Sequence, residues 1–544
     1  MQGAAKIAVV GGAVSVAVAG VAFTCYALGQ PGAGGDASAA TRSGGAKPVN
    51  TTPPSAQEVL STAKAFLAAW QAGDTAKAAA LTDNASEAGT QLASFKSGLH
   101  ATSLTLTGGK RVTGFQVPFS VGTHLDYAGQ KSTWSYDSSL TVVRGTDGHA
   151  VVKWMPSVLY PKLAAGQSVV VASAGAPPVK AVDRNGKVLA AAQYPSLAGI
   201  LSQLQAQYGT KMQGTPGSEI RVKNADGSAG RVLRVLAQGR AGKPLPTTID
   251  AKLQAEAEND VKKQGPDASV VAVQPSTGDV LAVAMTPAKG FDKAFQGTYA
   301  PGSTFKVITA STLLESGKFT PSTPLNCPQY FSYGGLTFHN VDKMKIDHAN
   351  LAMDFEASCN TAFMSTVQVL PDGAVENEAR DVYGFGLHWN TGAPSFDGSV
   401  PTTGGASKAM TYIGQGKVLV SPLDMASVAA TAKAGVFHQP VIVPVSVDNR
   451  QIAKAPRQMS ASADAALRQL MKLTAQQGTA APTIGNLSGD VGAKTGTAEV
   501  DGRQKPDSWF VAYRDDVAAA AVVPASGEGY KFAGKIVTAV LAAS

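Results

Sequence analysis

The sequence predicts an α+β protein of several domains that follow an apolar N-terminal segment. The chain has 544 residues, of which 44% are hydrophobic and 15% charged. This length and composition suit large cores and about three or four domains. Runs of alternating apolar and polar residues in the first third predict antiparallel strands. Apolar residues at helical spacing before these runs, and a mostly helical middle section, complete the α+β pattern.

The N-terminal segment predicts a membrane anchor. Residues 7–29 contain no charged side chain, and a helix of that length, at about 1.5 Å per residue, spans a bilayer core of about 30 Å. Because the run is long, an uncleaved anchor is favoured over a signal peptide. Lys6 precedes the run. The positive-inside rule then places residues 1–6 in the cytoplasm and the rest of the chain outside a single-pass cell membrane anchor.

The elements that follow can be taken in order. Residues 30–53 are rich in Gly, Ala, Ser, Pro and Thr and predict a flexible tether. Residues 55–82 predict two helices separated at Gly73-Asp74. Segments such as T-S-L-T-L-T and S-L-T-V-V-R predict a curved antiparallel sheet that runs to Trp154. Asn185-Gly186 then predicts the turn of a hairpin.

The last 300 residues predict a second, larger set of strands and helices. Thr248-Ile249-Asp250 begins a helix, and two apolar strands flank the turn at 276–279. Strand signals return at 490–500, 508–514 and 516–523. The final segment predicts a helix that covers the sheet with Phe532, Ile536, Val537, Val540 and Leu541 on one face.

Three short motifs carry the chemistry. They are Ser303-Thr304-Phe305-Lys306, Ser358-Cys359-Asn360 and Lys494-Thr495-Gly496-Thr497. Each motif alone is weak, since Ser61–Lys64 also reads S-x-x-K and Lys96–Gly98 also reads K-[ST]-G. The surrounding sequence distinguishes the Ser303 motif from the Ser61 match. Ser61 lies inside a predicted helix, whereas Ser303 follows Pro301-Gly302 and begins one.

The first motif suits nucleophilic catalysis by serine. Ser303 and Lys306 are three residues apart on one helix and share a face. The serine needs a base, and Lys306 can act as one only when it is neutral. Desolvation and a nearby cation, for which Lys494 is the candidate, would lower its pKa from about 10.4.

Other chemistries find little support. The net charge of +8 is modest, and no long basic run interleaved with aromatic residues indicates nucleic-acid binding. The motifs G-x-S-x-G, H-E-x-x-H and C-x-x-C are absent from the sequence, and we expect neither a metal nor a cofactor. Cys327 and Cys359 could pair, but two cysteines make no disulfide framework. We expect Cys359 to act as a small apolar residue.

The three motifs in this order resemble the class B penicillin-binding proteins, which are monofunctional D,D-transpeptidases of the bacterial cell wall. The segments F-D-K-A-F-Q-G-T-Y-A-P-G-S-T-F-K and Ile413–Gly416 strengthen the likeness. The helices and sheet before Trp154 resemble the nuclear-transport-factor-like domain of the low-affinity methicillin-resistance type. The resemblance implies a five-stranded antiparallel sheet flanked by helices plus an all-helical lobe, behind an α+β cone-like domain and a small linker domain.

The resemblance also implies a division of the chain. After the tail (1–6), anchor (7–29) and linker (30–53), we expect a nuclear-transport-factor-like domain (54–164), a dimerisation or linker domain (165–250) and a transpeptidase domain (251–544).

The same resemblance implies roles for the motif residues. Ser303 is the nucleophile and Lys306 its base; Ser358 relays protons and Asn360 bonds the acyl-side amide. Lys494, Thr495 and Thr497 recognise the terminal carboxylate of the substrate. The backbone N–H groups of Ser303 and Thr497 form an oxyanion hole. Gly496 lets a substrate backbone lie close to the strand.

The implied substrates are peptidoglycan stem peptides, a D-Ala-D-Ala donor and an amine acceptor, with β-lactams acylating the same serine. The membrane and other cell-wall synthesis proteins are the expected partners. A D,D-carboxypeptidase would use the same motifs with water as acceptor. A β-lactamase, a β-lactam sensor and a non-catalytic divisome scaffold remain as alternatives. The presence of several domains argues against a β-lactamase, and the short segment before residue 7 argues against a sensor. The intact motifs argue against a non-catalytic scaffold.

Overall fold

A computed structural model describes residues 49–108, 114–500 and 502–544. The predicted tail, the predicted anchor at 7–29 and nearly all of the predicted linker lie outside these ranges. Within them, no helix combines the length and the hydropathy that crossing a bilayer requires.

The first unit packs three helices against a four-stranded antiparallel sheet with strand order β1-β2-β3-β4. Its elements are α1 (Ala56–Gln71), α2 (Thr75–Ala80), α3 (Ala85–Gly98), β1 (Ala101–Gly108), β2 (Gln116–Tyr127), β3 (Gln130–Arg144) and β4 (Ala150–Lys153). The two predicted helices and the predicted sheet are confirmed, and α3 is an addition. The two other matches to the motif patterns, which begin at Ser61 and Lys96, both lie on helices of this unit. Neither therefore resembles the candidate site.

Local signals explain where these helices begin and end. Ser55 and Glu58 form a capping box, in which the serine hydroxyl accepts from the Glu58 N–H and the glutamate accepts from the Ser55 N–H. Gly73, at φ +78°, takes the left-handed conformation that separates α1 from α2. Behind them, Phe66 and Trp70 are buried against the sheet.

The second unit is small and built from short elements. They are β5 (Ser168–Gly175), β6 (Ala181–Val182), α4 (Ala198–Tyr208), β7 (Gly217–Lys223), β8 (Ala229–Ala237) and β9 (Leu245–Pro246). Strands β5, β7 and β8 form one antiparallel sheet, and β6 pairs in parallel with β9.

The hairpin predicted at Asn185-Gly186 is present as a turn with one isolated bridge between Val182 and Val188, closed by the bonds Asp183 N–H to Lys187 O and Leu189 N–H to Ala181 O. The other side of β6 pairs with β9, where the Val182 carbonyl accepts from Thr247. The Asp183 carboxylate meanwhile accepts from the N–H groups of Asn185 and Lys187 and holds the turn.

The third unit contains the three motifs. Its helices are α5 (Ala251–Gln264), α6 (Lys293–Gln296), α7 (Lys306–Glu315), α8 (Leu351–Glu356), α9 (Asn360–Ser365), α10 (Ala374–Asp381), α11 (Ala406–Thr411), α12 (Pro422–Ala434), α13 (Ala461–Gln476), α14 (Ala481–Ile484) and α15 (Ala533–Ala543). Its strands are β10 (Ala268–Val273), β11 (Val280–Thr286), β12 (Tyr330–Tyr333), β13 (Leu336–His339), β14 (Val491–Ala498), β15 (Asp507–Arg514) and β16 (Val517–Val523).

Five of these strands form one antiparallel sheet with the order β11-β10-β16-β15-β14. Helices α5 and α15 cover one face, where Ile536, Val537, Val540 and Leu541 are fully buried as predicted. Phe532, predicted on the same face, precedes α15 and is only partly buried against this core. Helix α12 covers the other face. Strand β14 lies at the edge of this sheet, and the turn that carries Ser303 packs against it. The lobe that was expected to be all-helical also contains a two-stranded hairpin, formed by β12 and β13 between α7 and α8.

Candidate active site

The turn that carries Ser303 is tighter than predicted. Gly302–Phe305 form a 3₁₀ turn, and the α-helix begins only at Lys306. Gly302 has φ +52°, and a Cβ there would lie 2.7 Å from the Thr497 carbonyl oxygen. Only glycine fits this left-handed position against β14. The turn therefore places Ser303 beside the third motif.

Lys306 is fully buried, with its amine at the centre of the first two motifs. Its Nζ lies 3.1 Å from Ser303 Oγ. It donates to the Ser358 carbonyl oxygen and to Asn360 Oδ1, each at 2.7 Å. A neutral amine has two N–H hydrogens and one lone pair. Since the two carbonyl oxygens use both hydrogens, the lone pair is left to face the Ser303 hydroxyl.

Ser358 has φ +61°, a left-handed conformation that is unusual for a residue with a side chain. This conformation turns its carbonyl toward Lys306 and its hydroxyl toward Lys494, whose Nζ donates to Ser358 Oγ at 2.8 Å. Ser358 Oγ is 3.4 Å from Lys306 Nζ. The Ser358 hydroxyl therefore connects the two lysines.

Burial lowers the pKa of both lysines. Lys306 has its pKa held well below the ordinary value, first by desolvation and then by the charge of Lys494. Desolvation lowers the pKa of Lys494 to about 7. Aromatic rings form part of this dry environment, because Phe363 lies 5.5 Å from Lys306 Nζ and Phe355 lies 5.6 Å from Lys494 Nζ. The pKa shift predicted for Lys306 is thus supported in direction and cause.

The third motif lies on β14, as predicted. Thr495 is nearly buried, and its hydroxyl is 2.7 Å from that of Thr479, a residue that belongs to none of the three motifs. A Cβ on Gly496 would lie 2.7 Å from Thr304 Cγ2 and 2.8 Å from Trp509 Cβ. Glycine here lets the Ser303 turn lie against the strand. The predicted roles of these residues toward substrate stay predictions.

The expectation that Cys359 is simply a small apolar residue is wrong, because Cys327 and Cys359 are joined by a disulfide. Both cysteines are fully buried. Cys359 is the middle residue of the second motif, so the bond ties that motif to a segment 32 residues earlier. Sequence reasoning failed here because two isolated cysteines carry no spacing signal.

Sequence reasoning also missed Asp354. Its side chain is fully buried on α8, and among the described residues neither carboxyl oxygen has a hydrogen-bond partner. Desolvation raises its pKa to about 7, and the neighbouring charge of Lys306 opposes this rise. In return Asp354 favours the charged form of Lys306. The only available sequence signal was an acidic residue four positions before Ser358, which is too common to indicate a site.

Family models match two parts of the chain. The penicillin-binding protein transpeptidase domain matches residues 268–543, and the NTF2-like N-terminal transpeptidase domain matches residues 58–167. The chain belongs to the penicillin-binding protein transpeptidase family. The resemblance proposed from the motifs is confirmed, together with the nuclear-transport-factor-like character of the first unit. The exact domain boundaries given above remain predictions.

Individual relatives agree with this assignment. The peptidoglycan D,D-transpeptidase PbpA of Mycobacterium tuberculosis is 30% identical over 333 residues, which cover 50% of this chain and 64% of that protein. The peptidoglycan D,D-transpeptidase MrdA of Escherichia coli K12 is 28% identical, covering 41% of this chain and 40% of that protein. The chain therefore spans less than two thirds of the length of these relatives.

A solved structure supports the fold. The crystal structure of PBP2 from Pseudomonas aeruginosa superposes with a TM-score of 0.55 at 20% identity, covering 69% of this chain and 96% of that one. At this identity the likeness concerns the fold alone. The mixed α/β transpeptidase architecture is confirmed at that level.

Proposed function

We propose that this protein is a peptidoglycan D,D-transpeptidase that forms an acyl-enzyme on Ser303. One observation carries the proposal: Lys306 Nζ bonds two carbonyl oxygens at 2.7 Å and lies 3.1 Å from Ser303 Oγ. When Lys306 is neutral, this arrangement directs the lone pair of its desolvated amine at the serine hydroxyl, which is the geometry of a general base.

The acylation step follows from these contacts. The Ser303 hydroxyl gives its proton to Lys306 as Oγ attacks the carbonyl carbon of the penultimate D-alanine. The backbone N–H groups of Ser303 and Thr497 stabilise the resulting oxyanion. The C–N bond then breaks, and the leaving D-alanine nitrogen takes a proton. Ser358 Oγ, 3.4 Å from Lys306 Nζ, provides the relay for that proton.

The second step resolves the acyl-enzyme. An amine of a neighbouring stem peptide attacks the ester carbon and loses a proton, the C–O bond to Ser303 breaks, and Oγ recovers its proton. Lys494, Thr495 and Thr497 hold the carboxylate of the donor on the β14 edge before acylation. A β-lactam would follow the first step only, since its ring opens without releasing a fragment.

The experiment that tests this proposal separates aminolysis from hydrolysis. The purified full chain is incubated with a pentapeptide donor ending in D-Ala-D-Ala and with a D-amino acid as acceptor. We expect D-alanine release together with an exchanged peptide, and neither product with Ser303→Ala. Release of D-alanine without exchange at high acceptor concentration would identify a carboxypeptidase and overturn the transpeptidase assignment.

We also propose that residues 7–29 anchor the protein in the cell membrane, with the catalytic part outside and within reach of other cell-wall synthesis proteins. The support is the uncharged run with Lys6 on its N-terminal side. Protease treatment of intact spheroplasts should digest the portion after residue 30. Full protection in intact spheroplasts, with digestion only after they are lysed, would contradict this orientation.

A further inference from the structure

Beyond the three motifs, one buried side chain joins three segments at the second motif. Asn340 follows β13 at the end of the β12–β13 hairpin and is 1% exposed. Its Oδ1 accepts from the N–H groups of Asn360 and Thr361 at 2.8 and 2.9 Å. Its Nδ2 donates to the carbonyl oxygens of Met344 and Pro328 at 2.8 and 3.0 Å.

These contacts fix the orientation of the Asn340 amide. The oxygen faces two backbone donors and the nitrogen faces two backbone acceptors, so the reversed orientation would lose all four bonds. Thr361 reinforces the same junction, because its hydroxyl lies 3.0 Å from Asn340 Nδ2 and donates to the Pro328 carbonyl at 2.6 Å. Asn340 thus holds the hairpin end, the 327–328 segment and the start of α9 together.

The start of α9 needs an acceptor from elsewhere in the chain. Helices expose unpaired N–H groups in their first turn, and serine, threonine, aspartate or asparagine normally accepts from them. Here the N-cap residue is Cys359, whose sulfur is a weak acceptor that takes only the Ala362 N–H, at 3.4 Å. Asn340 supplies the strong acceptor oxygen from 20 residues earlier.

The same bonds determine where the second motif lies. Ser358 takes its left-handed conformation in the C-terminal cap of α8, where the Ser358 N–H donates to the Phe355 carbonyl at 3.2 Å and the Cys359 N–H donates to the Asp354 carbonyl at 2.8 Å. A second constraint follows two residues later, where the Asn360 N–H donates to Asn340. This second constraint keeps both acceptors of Lys306, the Ser358 carbonyl and Asn360 Oδ1, at 2.7 Å.

We propose that Asn340 is a positioning residue for acyl transfer, which holds Ser358 and Asn360 against Lys306 without touching the substrate. The proposal rests on the function proposed above. Loss of Asn340 should release the first turn of α9 and displace the two acceptors that orient the lone pair of Lys306. Displacement of about 1 Å at such a site costs up to about 10²-fold in rate. Initial binding of a β-lactam, which depends on β14, should change little.

The test compares acylation by a fluorescent penicillin in the parent, Asn340→Ala and Asn84→Ala. Asn84 caps α3 in the first unit through the N–H of Glu87, so it controls for the loss of a capping asparagine away from the cleft. We expect Asn340→Ala to lower the acylation rate constant about 10- to 100-fold. The dissociation constant of the initial complex should change less than about threefold. Asn84→Ala should acylate like the parent.

A second readout does not depend on catalysis. Hydrogen exchange of the Asn360 and Thr361 amides should accelerate in Asn340→Ala, while the amides of β15 keep the protection of the parent. If the alanine variant does not fold, Asn340→Ser, whose shorter hydroxyl cannot reach both N–H groups, takes its place with the same expected loss.

The outcomes are separable. A folded Asn340 variant with the parent's acylation rate constant and amide protection would overturn the proposal. A loss confined to the dissociation constant would also overturn it, since it would mean a binding role. Failure of the parent itself to be acylated at Ser303 would instead refute the proposed function, and the exchange measurement alone would then decide whether Asn340 holds α9.

Discussion

Lys306 Nζ donates to the side-chain oxygen of Asn360 at 2.7 Å, although 54 residues separate the two in the sequence. With the Ser358 carbonyl, this bond uses the two N–H hydrogens of a neutral lysine. The third direction of the amine faces Ser303. The second motif therefore orients the amine of Lys306 in the first motif, in addition to any contact it makes with substrate.

Replacing Lys306 by a cationic residue that cannot lose its proton should abolish its action as a base. Lys306→Arg keeps a cation in the cleft, but a guanidinium stays protonated at every accessible pH. We expect the rate of acylation by a fluorescent penicillin to fall about 10²- to 10⁴-fold, the usual contribution of a general base. Lys408→Arg is the matched control, because Lys408 is a buried lysine of the same unit that pairs with Asp372. A parent-like rate in Lys306→Arg would exclude Lys306 as the base.

The pH dependence of acylation should respond in opposite directions to two nearby charges. Acylation needs neutral Lys306, so its rate rises with pH and levels off well below pH 10.5. Lys494 lowers the pKa of Lys306 and Asp354 raises it. Lys494→Ala should therefore move the rising limb to higher pH, and Asp354→Asn should move it to lower pH. Stopped-flow fluorescence between pH 5 and 10 measures both, and shifts of the same sign would contradict the electrostatic account.

Asp354 should also make the fold less stable as the pH rises. Desolvation raises its pKa in the folded protein to about 7, above its ordinary value of 3.8. Between these values the folded state binds more protons than the unfolded state, so the free energy of unfolding falls with rising pH. Asp354→Asn removes this dependence. We expect the free energy of unfolding of Asp354→Asn, relative to that of the parent, to be at least about 1 kcal/mol larger at pH 8 than at pH 4.

Urea unfolding at the two pH values measures the difference. Asp226→Asn serves as the control, since Asp226 is exposed and its pKa is lowered by hydrogen bonds with Ser228. If the difference in free energy of unfolding between Asp354→Asn and the parent is the same at both pH values, the Asp354 carboxyl titrates at its ordinary pH.

The disulfide can be counted directly. The chain has three cysteines, of which Cys327 and Cys359 are joined. The full chain, unfolded without reductant, should expose one reactive thiol, that of Cys25, and three after reduction. Three thiols before reduction would contradict the bond. Replacing both bonded cysteines by serine should lower the free energy of unfolding by about 3.7 kcal/mol, as for a closed loop of this length.

The sequence contained enough to place the main elements but not to join them. Strands β14 to β16 and helix α15 follow from short-range periodicity, and Ser303, Lys306, Ser358 and Lys494 follow from motifs. Asn340 escaped prediction because its role exists only once the hairpin folds back onto α9. The burial of Asp354 was not predicted, because an unpaired buried carboxylate is energetically disfavoured and no local sequence pattern indicates one. The disulfide escaped for want of a spacing signal.

The most direct test of the central claim is the intact mass of the full chain after incubation with benzylpenicillin. We predict one stable adduct with the mass of the whole drug. It should be absent in Ser303→Ala and retained in Ser61→Ala, which alters the other S-x-x-K match, on α1. An adduct that survives in Ser303→Ala would contradict the assignment of the nucleophile. Hydrolysed drug without an adduct would identify a β-lactamase, and intact drug without an adduct would show that the cleft does not perform acyl transfer.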